Sequence, residues 1–226
     1  MPDAHDLLRR VPLFAGFSPD ALHGLAGQMR RRTFKRGTMI FHKDQAGDAL
    51  YVIESGRVRI FLPTESGTEL TVEVSGAGDV FGELSLLDGR PRSASAEALE
   101  ETAAFMLGRE EFKADLTATP QLAVALIELL SMRLRHVTEY AESLAHLDVH
   151  ARLARTLLEM AERYGVDRNG IEIDFDLTQA DLATMVGATR ERVNRALAAF
   201  RSQGLVELRG RKIALLNAGR LRQRIY

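Results

Sequence analysis

Five short apolar runs, separated by glycine-containing turns, place the strongest constraint on how this 226-residue chain can fold. Each run has only four to six residues, and most of these are β-branched, aromatic or other apolar residues. Short strands at this spacing predict an antiparallel β-roll or barrel. The runs cover residues 38–41, 49–53, 57–62, 69–74 and 103–107.

A helical pattern follows this β region, from about Thr119-Pro120 to His146. Its apolar stripe follows a 4-3-4-3-4-3 spacing, which is typical of a coiled-coil seam. A helix of about 27 residues would extend about 40 Å, which is longer than a small domain needs. Such a stripe can also pack within its own domain, but we expect a two-fold dimer through this helix. The stripe consists of Leu126, Leu130, Arg133, Val137, Tyr140, Leu144 and Leu147.

The segment from Phe81 to Ala94 has a backbone pattern that suits an anionic ligand. Gly82 lets the main chain approach a ligand closely, because it carries no Cβ. Leu84 and Ser85 would begin a short helical turn whose N–H groups face an anion. The sequence 88–91, Asp-Gly-Arg-Pro, predicts a tight turn that brings the two halves of the segment together.

The side chains of the same segment match a phosphate attached to a sugar. Glu83 can accept a hydrogen bond from a ribose hydroxyl, Arg92 offers a guanidinium fork, and Ser93 adds a hydroxyl donor. The alternative is an ordinary helix start followed by a solvated arginine. The return of Arg92-Ser93 after the turn favours the anion site.

Residues 178–200 have the layout of a helix-turn-helix. Thr178 would cap the first helix, Ala183 is small where the helices would cross, and Gly187 would form the turn. Thr189 would cap the second helix, and its inner face would hold Val193, Leu197 and Phe200. A helical hairpin with a salt-bridged surface is the alternative, and the placement of caps and glycine argues against it.

The other face of the second helix carries polar side chains near the end that enters a major groove in such motifs. Arginines can pair with guanine edges, and a glutamate can accept from cytosine N4. Residues 205–216 then predict a β-hairpin wing with a basic tip suited to phosphate contacts. We expect DNA contacts from Thr178, Gln179, Thr189, Arg190, Glu191, Asn194, Arg195, Arg209, Arg211 and Lys212.

The charge distribution agrees with a nucleic-acid partner at the C-terminal end. The net charge of −1 combines 16 basic and 21 acidic residues through Leu147 with 14 basic and 10 acidic residues from Asp148 onward. From Thr189 to the end the chain has 10 basic residues and 2 acidic ones. A basic end on an acidic body predicts that a polyanion binds at that end.

The cassette at Gly82–Ser93 resembles the phosphate-binding cassette of cyclic-nucleotide-binding domains, and the chain resembles the CRP/FNR family of transcription regulators over nearly its whole length. That resemblance implies an α+β protein, a homodimer controlled by cyclic AMP, and a two-fold DNA site with TGTGA-like halves. It also implies that RNA polymerase is a partner if the protein activates transcription. The implied ligand contacts are Gly82, Glu83, Leu84, Ser85, Arg92, Ser93, Arg133, Val137 and Thr138.

One position departs from the family pattern. Cyclic-AMP activators in the family carry a threonine-serine pair against adenine, where this chain has Val137-Thr138. Cyclic AMP remains the expected effector, with another cyclic nucleotide or a ligand-independent regulator as alternatives. A haem-dependent gas sensor would need axial ligands such as His42, His136 or His146, and a lone histidine is more often a surface or packing residue.

The resemblance implies three parts. Residues 1–117 would form the cyclic-nucleotide-binding β-roll or jelly roll, 118–147 the dimerisation helix, and 148–226 the winged helix-turn-helix. The sequence has no cysteine and no apolar run of about 18 residues, so we expect a cytoplasmic protein without thiolate metal sites or a membrane span. We expect no metal and no enzymatic activity, because no nucleophile has a plausible activating partner.

Overall fold

The β region between residues 30 and 108 forms two four-stranded sheets in the computed structural model, which describes residues 4–64 and 67–225. The chain divides into two compact units. The first comprises Met1–Pro63 and Val72–Val137, and the second comprises Thr64–Thr71 and Thr138–Tyr226.

The strands of the β region pair into sheets with orders β1-β8-β3-β6 and β2-β7-β4-β5. The pairings of β3 with β8 and of β4 with β7 are antiparallel, as the short alternating runs predict. Among the described residues the strands are β1 Arg30–Phe34, β2 Met39–Phe41, β3 Ala49–Ser55, β4 Val58–Pro63, β5 Glu69–Ser75, β6 Val80–Phe81, β7 Ser95–Ala98 and β8 Thr102–Gly108.

All five predicted strands are confirmed within two residues, and three further strands were not predicted. β1 has the sequence Arg-Arg-Arg-Thr-Phe and is exposed at its first four positions, so it shows no apolar alternation. It pairs only with β8 at the edge of its sheet, where charged side chains are tolerated. β7 consists of small residues and glutamate, and β6 has only two residues.

The helices of the first unit cover one side of this β-roll. A hydrophobic core joins Leu8 and Phe14 near the N-terminus with Leu50 and Leu107 of the sheet and Phe112 of α4. Fully burying one such leucine or phenylalanine contributes about 1.5–3 kcal/mol. The helices are α1 Ala4–Leu8, the 3₁₀ helix Pro12–Phe14, α2 Pro19–Gln28, α3 Leu84–Asp88 and α4 Arg109–Ala118.

The long helix α5 runs from Pro120 to His146, as predicted, and passes through the division between the units. The stripe predicted as its dimer seam instead packs mainly within the chain. Leu126 is 5% exposed in the core of the first unit, and Leu130 packs against that core. In the second unit the Tyr140 hydroxyl donates to the Met185 carbonyl, and Leu144 lies against Gly187. The residues assigned to the seam are therefore wrong for most of its length.

A neighbouring face of α5 carries the exposed apolar side chains. Val124, Ile127 and Leu134 are 58%, 64% and 68% exposed. With the small residue Ser131 between them they follow a 3-4-3 spacing, which places them on one side of the helix. Monomeric proteins rarely expose such a stripe without a partner surface.

Among the described residues after 148, the second unit contains three helices that pack together, a short fourth helix near the C-terminus, and a small sheet of order β11-β12-β10-β9. Leu157 of α6, Leu182 of α7 and Phe200 of α8 are at most 1% exposed and form part of its interior. Its elements from residue 149 onward are α6 Val149–Tyr164, β9 Gly165–Asp167, β10 Ile171–Ile173, α7 Gln179–Val186, α8 Arg190–Ser202, β11 Val206–Arg209, β12 Lys212–Leu215 and α9 Ala218–Arg222.

The predicted helix-turn-helix is confirmed in detail. The Thr178 hydroxyl accepts from Asp181 N at 3.1 Å and the Asp181 carboxylate accepts from Thr178 N at 2.8 Å, which forms a capping box. Gly187 ends α7 with a φ of +63°, and Thr189 caps α8. A Cβ on Gly187 would lie 2.9 Å from Leu144 Cδ2, so both the backbone angle and the space require glycine.

Within residues 4–64 and 67–225, no helix combines the length and apolar character needed to cross a bilayer. The same residues contain no cluster of three or more histidine, aspartate, glutamate or cysteine side chains that could hold a metal ion.

Candidate ligand pocket and nucleic-acid interface

The cassette folds as a sharp turn between β6 and the short helix α3. Gly82 follows β6 with a φ of +82°, a left-handed conformation that favours glycine. A Cβ at this position would lie 2.7 Å from Nη1 of Arg92, so any other residue would push the guanidinium away. The predicted turn after α3 is also confirmed, since Gly89 caps α3 and the Asp88 carboxylate accepts from Arg90 N at 2.9 Å.

Arg92 is held rigidly inside the first unit. It is 3% exposed, and its guanidinium donates to the Gly82 carbonyl at 2.6 Å and to the Ala49 carbonyl at 2.7 Å. The same group lies over the Phe41 ring, 4.2 Å from its centroid. Burial lowers the pKa of Arg92, while the nearby Tyr51 opposes that shift. An arginine remains protonated at neutral pH even so, and the cassette therefore contains a fixed, buried positive charge.

Glu83 is also buried, at 1% exposed, and forms an ion pair with Nη1 of Arg133 on α5. Arg133 donates as well to the Val80 carbonyl at 2.5 Å, and its Nε lies 3.4 Å from the Glu73 carboxylate. Burial acts to lower the pKa of Arg133, but the Glu83 and Glu73 carboxylates outweigh it and raise that pKa. The cassette is thus linked to the long helix by a charged and largely desolvated contact.

Two buried polar atoms in the cassette lack a hydrogen-bond partner among the described residues. They are Oε2 of Glu83, which can only accept, and Nε of Arg92, which can only donate. A buried polar atom without a partner costs about 1–3 kcal/mol, so such atoms in a folded protein point to a ligand or water. A sugar hydroxyl could donate a hydrogen bond to Glu83 Oε2, and a phosphate oxygen could accept one from Arg92 Nε.

The other predicted ligand contacts differ in exposure. Ser85 is 2% exposed, and its side chain lies beside Gly47 and Arg92. Leu84 is 42% and Val137 51% exposed, and Ser93 and Thr138 are also exposed. Direct contacts therefore join Gly82 to Arg92 and Glu83 to Arg133, and Ser85 is buried beside Arg92. The other four predicted contacts lie at the surface, namely Leu84, Ser93, Val137 and Thr138.

Sequence reasoning missed the residues outside the cassette that hold the Arg92 side chain in place. The Ala49 carbonyl and the Phe41 ring belong to strands whose alternation predicts only packing. Gly47 is equally important, because a Cβ there would lie 2.5 Å from Ser85 Cβ and 2.8 Å from Arg92 Nε. Arg109 donates to the Gly47 carbonyl at 2.5 Å and holds this loop in place. Only Gly47 carried a signal, as a glycine two residues before a predicted strand.

In the second unit the predicted DNA-reading face of α8 is solvent-exposed. Arg195 and Glu191 form an (i, i+4) ion pair at 3.3 Å, with side chains 69% and 79% exposed. Arg190 Nε donates to the Gln179 side chain at 3.4 Å. Oδ1 of Asn194 is buried without a partner among the described residues. The cap residues Thr178 and Thr189 place their hydroxyls on backbone N–H groups at the start of each helix.

The wing forms as predicted from β11 and β12, with Arg209 opposite Lys212. Its cations, however, have acidic neighbours that the sequence did not lead us to expect. Arg209 Nε lies 2.7 Å from Glu207, and Lys212 Nζ lies 2.6 Å from Asp174. Arg211 Nε lies 3.5 Å from the Asp176 carboxylate. The charge asymmetry counted along the sequence is therefore partly cancelled within the second unit.

Comparison with known proteins matches both parts of the chain to described families. Residues 31–117 match the cyclic nucleotide-binding domain, and residues 151–224 match the Crp-like helix-turn-helix domain. The chain is 35% identical to the CRP-like cAMP-activated global transcriptional regulator of Mycobacterium tuberculosis over 220 residues, 97% of this chain and 98% of that one. It is also 35% identical to the cyclic AMP receptor protein of Thermus thermophilus, over 89% of this chain and 90% of that one.

Among solved structures, FixK2 from Bradyrhizobium japonicum superposes with a TM-score of 0.79 at 26% sequence identity, over 86% of this chain and 96% of that chain. Both domain matches lie where the cassette and the helix-turn-helix are found. This chain is therefore a member of the CRP/FNR family, a DNA-binding transcription regulator with a cyclic nucleotide-binding domain.

Proposed function

We propose that this chain is a homodimeric regulator whose DNA binding is controlled by cyclic AMP held in the β-roll. The observation that carries this proposal is the pair of buried, unsatisfied atoms in the cassette, Oε2 of Glu83 and Nε of Arg92. The two relatives named above carry cyclic AMP in their names, which supports the same effector here.

The roles within the pocket follow from charge and burial. Arg92 offers a fixed positive charge to the cyclic phosphate, and Ser85 and Ser93 add hydroxyl donors beside it. Glu83 accepts from the ribose hydroxyl with the oxygen that Arg133 leaves open. The backbone N–H groups at Leu84 and Ser85, which begin α3, face the same anion.

Titration calorimetry with cyclic AMP and cyclic GMP tests the ligand. The unaltered protein should bind cyclic AMP, and Arg92→Ala should weaken binding at least tenfold, because a charge-assisted hydrogen bond contributes about 1.5–3 kcal/mol. Arg90→Ala removes an exposed charge from the same loop and should leave the affinity unchanged. Absence of binding by every cyclic nucleotide, with the fold intact, would remove cyclic AMP from the proposal.

A second candidate is a regulator of the same fold that answers to another cyclic nucleotide or to none. The observation that favours it is Val137, which is 51% exposed and offers only methyl groups where a base would need a hydroxyl. Thr138 retains one hydroxyl beside it. Tighter binding of cyclic GMP than of cyclic AMP, or equal DNA binding with and without nucleotide, would select this candidate.

The homodimer is proposed through the exposed face of α5, with a second copy of this chain as the occupant. Val124, Ile127 and Leu134 form that stripe, and burying them removes a large apolar surface from water. Sedimentation should give a dimer at micromolar concentration, and Ile127→Glu should give a monomer. Met132 is also 60% exposed but lies about 140° around the helix from Ile127, so Met132→Glu should remain dimeric.

Control of DNA binding requires that ligand favours one of two dimer arrangements. Arg133 contacts the cassette from α5, and α5 continues to His146, so a change at Glu83 reaches the helix directly. In the competent arrangement the two α8 helices would lie about 34 Å apart and read a two-fold site with TGTGA-like halves. Linkage then requires that DNA tightens ligand binding by the same factor that ligand tightens DNA binding.

The proposed DNA contacts are those of the helix-turn-helix and wing. Arg190, Glu191 and Arg195 would read base edges, with Asn194 beside them. The remaining residues, Thr178, Gln179, Thr189, Arg209, Arg211 and Lys212, would contact the backbone. The proposal also includes the boundaries 1–117, 118–147 and 148–226, a cytoplasmic location without enzymatic activity, and RNA polymerase as a partner in activation.

A further inference from the structure

Three carboxylates lie along the segment that connects β10 to α7. Glu172, Asp174 and Asp176 alternate with Ile173, Phe175 and Leu177, which are buried. The segment runs beside the wing, since Leu177 N donates to the Arg211 carbonyl at 2.9 Å. We call these three residues the acidic row.

Each member of the acidic row is paired with a different cation of the wing. Glu172 lies 3.4 Å from Nη1 of Arg209, and Asp174 lies 2.6 Å from Nζ of Lys212. Asp176 lies 3.5 Å from Nε of Arg211. The one-to-one match means that all three cations proposed to contact phosphate already face a carboxylate.

The surrounding charges complete a neutral cluster. Glu207 pairs with Arg209 at 2.7 Å, and Arg168 lies 3.0 Å from Glu172 and 3.8 Å from Asp174. The wing region thus combines four cations with four carboxylates. Its basic tip carries little net charge, although the sequence gives it three positive residues in four positions.

The three wing cations differ in how firmly they are held. Arg209 donates to Glu207 and also to the Arg168 carbonyl at 2.5 Å and the Asn169 carbonyl at 3.1 Å, so it ties the wing to the loop before β10. The Lys212–Asp174 pair is short, with both side chains partly exposed. Arg211 and Asp176 are 58% and 41% exposed, and an exposed pair of this kind contributes at most about 1 kcal/mol. Arg211 is therefore the most readily released cation.

Carboxylates and phosphates offer arginine and lysine the same kind of acceptor. We propose that the acidic row is an internal competitor for the wing cations, and that DNA phosphates bind the wing only by displacing it. The row thereby weakens sequence-independent DNA binding and reduces its dependence on salt. This inference rests on the proposed DNA-binding function and assigns a specificity-determining role to Asp174 and Asp176.

Binding of a random-sequence 30-base-pair duplex, followed by fluorescence anisotropy across a salt series, tests the competition. The double variant Asp174→Asn, Asp176→Asn should bind about five- to tenfold more tightly for each released cation at 0.1 M salt. The slope of log K against log salt should steepen by about 0.9 for each such cation. Glu172 is left unchanged, because it is 6% exposed and its two arginine partners make it part of the local structure.

The matched control is Asp167→Asn. Asp167 is an exposed residue of β9 in the same sheet, and it forms no ion pair among the residues that the structure describes. The Asp167→Asn substitution removes one negative charge without releasing a wing cation, so this variant measures the effect of net charge alone. Thermal unfolding followed by circular dichroism confirms that each variant is folded.

A double-mutant cycle gives a sharper answer. Arg211→Ala should change random-duplex affinity by less than twofold in the unaltered protein, but by five- to tenfold in the Asp176→Asn background. Equal losses in the two backgrounds, or acidic-row variants that match Asp167→Asn, would overturn the competition and leave the proposed function intact. Failure of every form to bind any duplex at 50 mM salt would overturn the proposed function, and the inference with it.

Discussion

The ionisable residues of the cassette and those of α8, the proposed recognition helix of the helix-turn-helix, are held in opposite ways. Glu83 and Arg92 are 1% and 3% exposed, and each is fixed by contacts within the first unit. Arg195 and Glu191 on α8 are 69% and 79% exposed and have each other as an ion-pair partner. The fold therefore fixes the geometry of Glu83 and Arg92, whereas Arg195 and Glu191 remain accessible to a binding partner.

This difference separates stability from recognition. A buried ion pair leaves an uncompensated charge when one partner is removed, which costs far more than the pair contributes. An exposed pair contributes little to stability, because water and salt screen it. Substitutions of the buried cassette residues should therefore change both stability and ligand binding, whereas substitutions of the exposed residues of α8 should change DNA binding alone.

The largest expected effect is at Arg133. Arg133→Met should lower the free energy of unfolding by about 3–5 kcal/mol, because the buried Glu83 carboxylate loses its ion-pair partner. Urea denaturation at a fixed protein concentration measures the loss. Arg135 lies two residues along the same helix and is exposed, so Arg135→Met should change stability by less than about 0.5 kcal/mol. Similar losses for both variants would contradict the role given to burial.

The next largest effect is expected at Gly187, in the turn between α7 and α8, where stability depends on the space around the backbone and not on charge. Gly187→Ala should cost about 2–4 kcal/mol, because the residue needs a φ of +63° and the new Cβ would lie 2.9 Å from Leu144. Gly204 has a similar φ of +66° with no atom within 4 Å of its Cβ position, so Gly204→Ala should cost only about 1–2 kcal/mol. Thermal unfolding of both variants separates crowding from backbone strain.

Most of the fold was predictable because its signals are local. The caps at Thr178 and Thr189, the glycine at the turn and the apolar spacing on α8 depend on nearby residues, and all are confirmed. The edge strand β1 was missed because its three arginines show no alternation. The seam on α5 was misassigned because apolar spacing cannot distinguish a helix face that packs within the chain from one that packs against a partner.

The cassette was predictable in its residue types but not in its mutual contacts. Glu83 and Arg92 follow from a short motif, whereas the Arg133 partner is 50 residues away and appeared only as an irregularity in an apolar stripe. The acidic row was missed for a similar reason. Its residues pair with cations about 35 to 40 positions later, and no local pattern connects them.

The recognition helix gives the third prediction, which concerns affinity and not stability. Arg195→Ala should weaken binding to the specific duplex by about 1–3 kcal/mol and relax preference at one base position. The free energy of unfolding should change by less than about 0.5 kcal/mol, because the side chain is 69% exposed. Anisotropy titrations with duplexes altered one base at a time measure both effects. Arg201→Ala, at the exposed end of the same helix, serves as the charge-matched control.

The smallest effect is a pH dependence at Tyr140, a half-buried phenol that donates to the Met185 carbonyl. Burial raises the pKa of Tyr140 from its usual value of 10.0 to about 12, against the opposing influence of Arg152. Between these values the folded protein keeps the phenol proton that the unfolded chain has released. The contribution of Tyr140 to the free energy of unfolding is therefore fully present below about pH 10, and it is lost as the pH rises towards 12.

Tyr140→Phe isolates this contribution, because phenylalanine fills the same space and does not titrate. The unaltered protein should lose about 1–2 kcal/mol relative to Tyr140→Phe between pH 9.5 and 11.5, after allowing for partial exposure to solvent. Denaturant unfolding of both proteins across that range measures the difference, and the two curves should run parallel from pH 7 to 9. If the two stability curves stay parallel up to pH 11.5, the Tyr140 phenol is solvated like the exposed residues of α8. The contrast between buried and exposed ionisable groups would then apply only to the cassette.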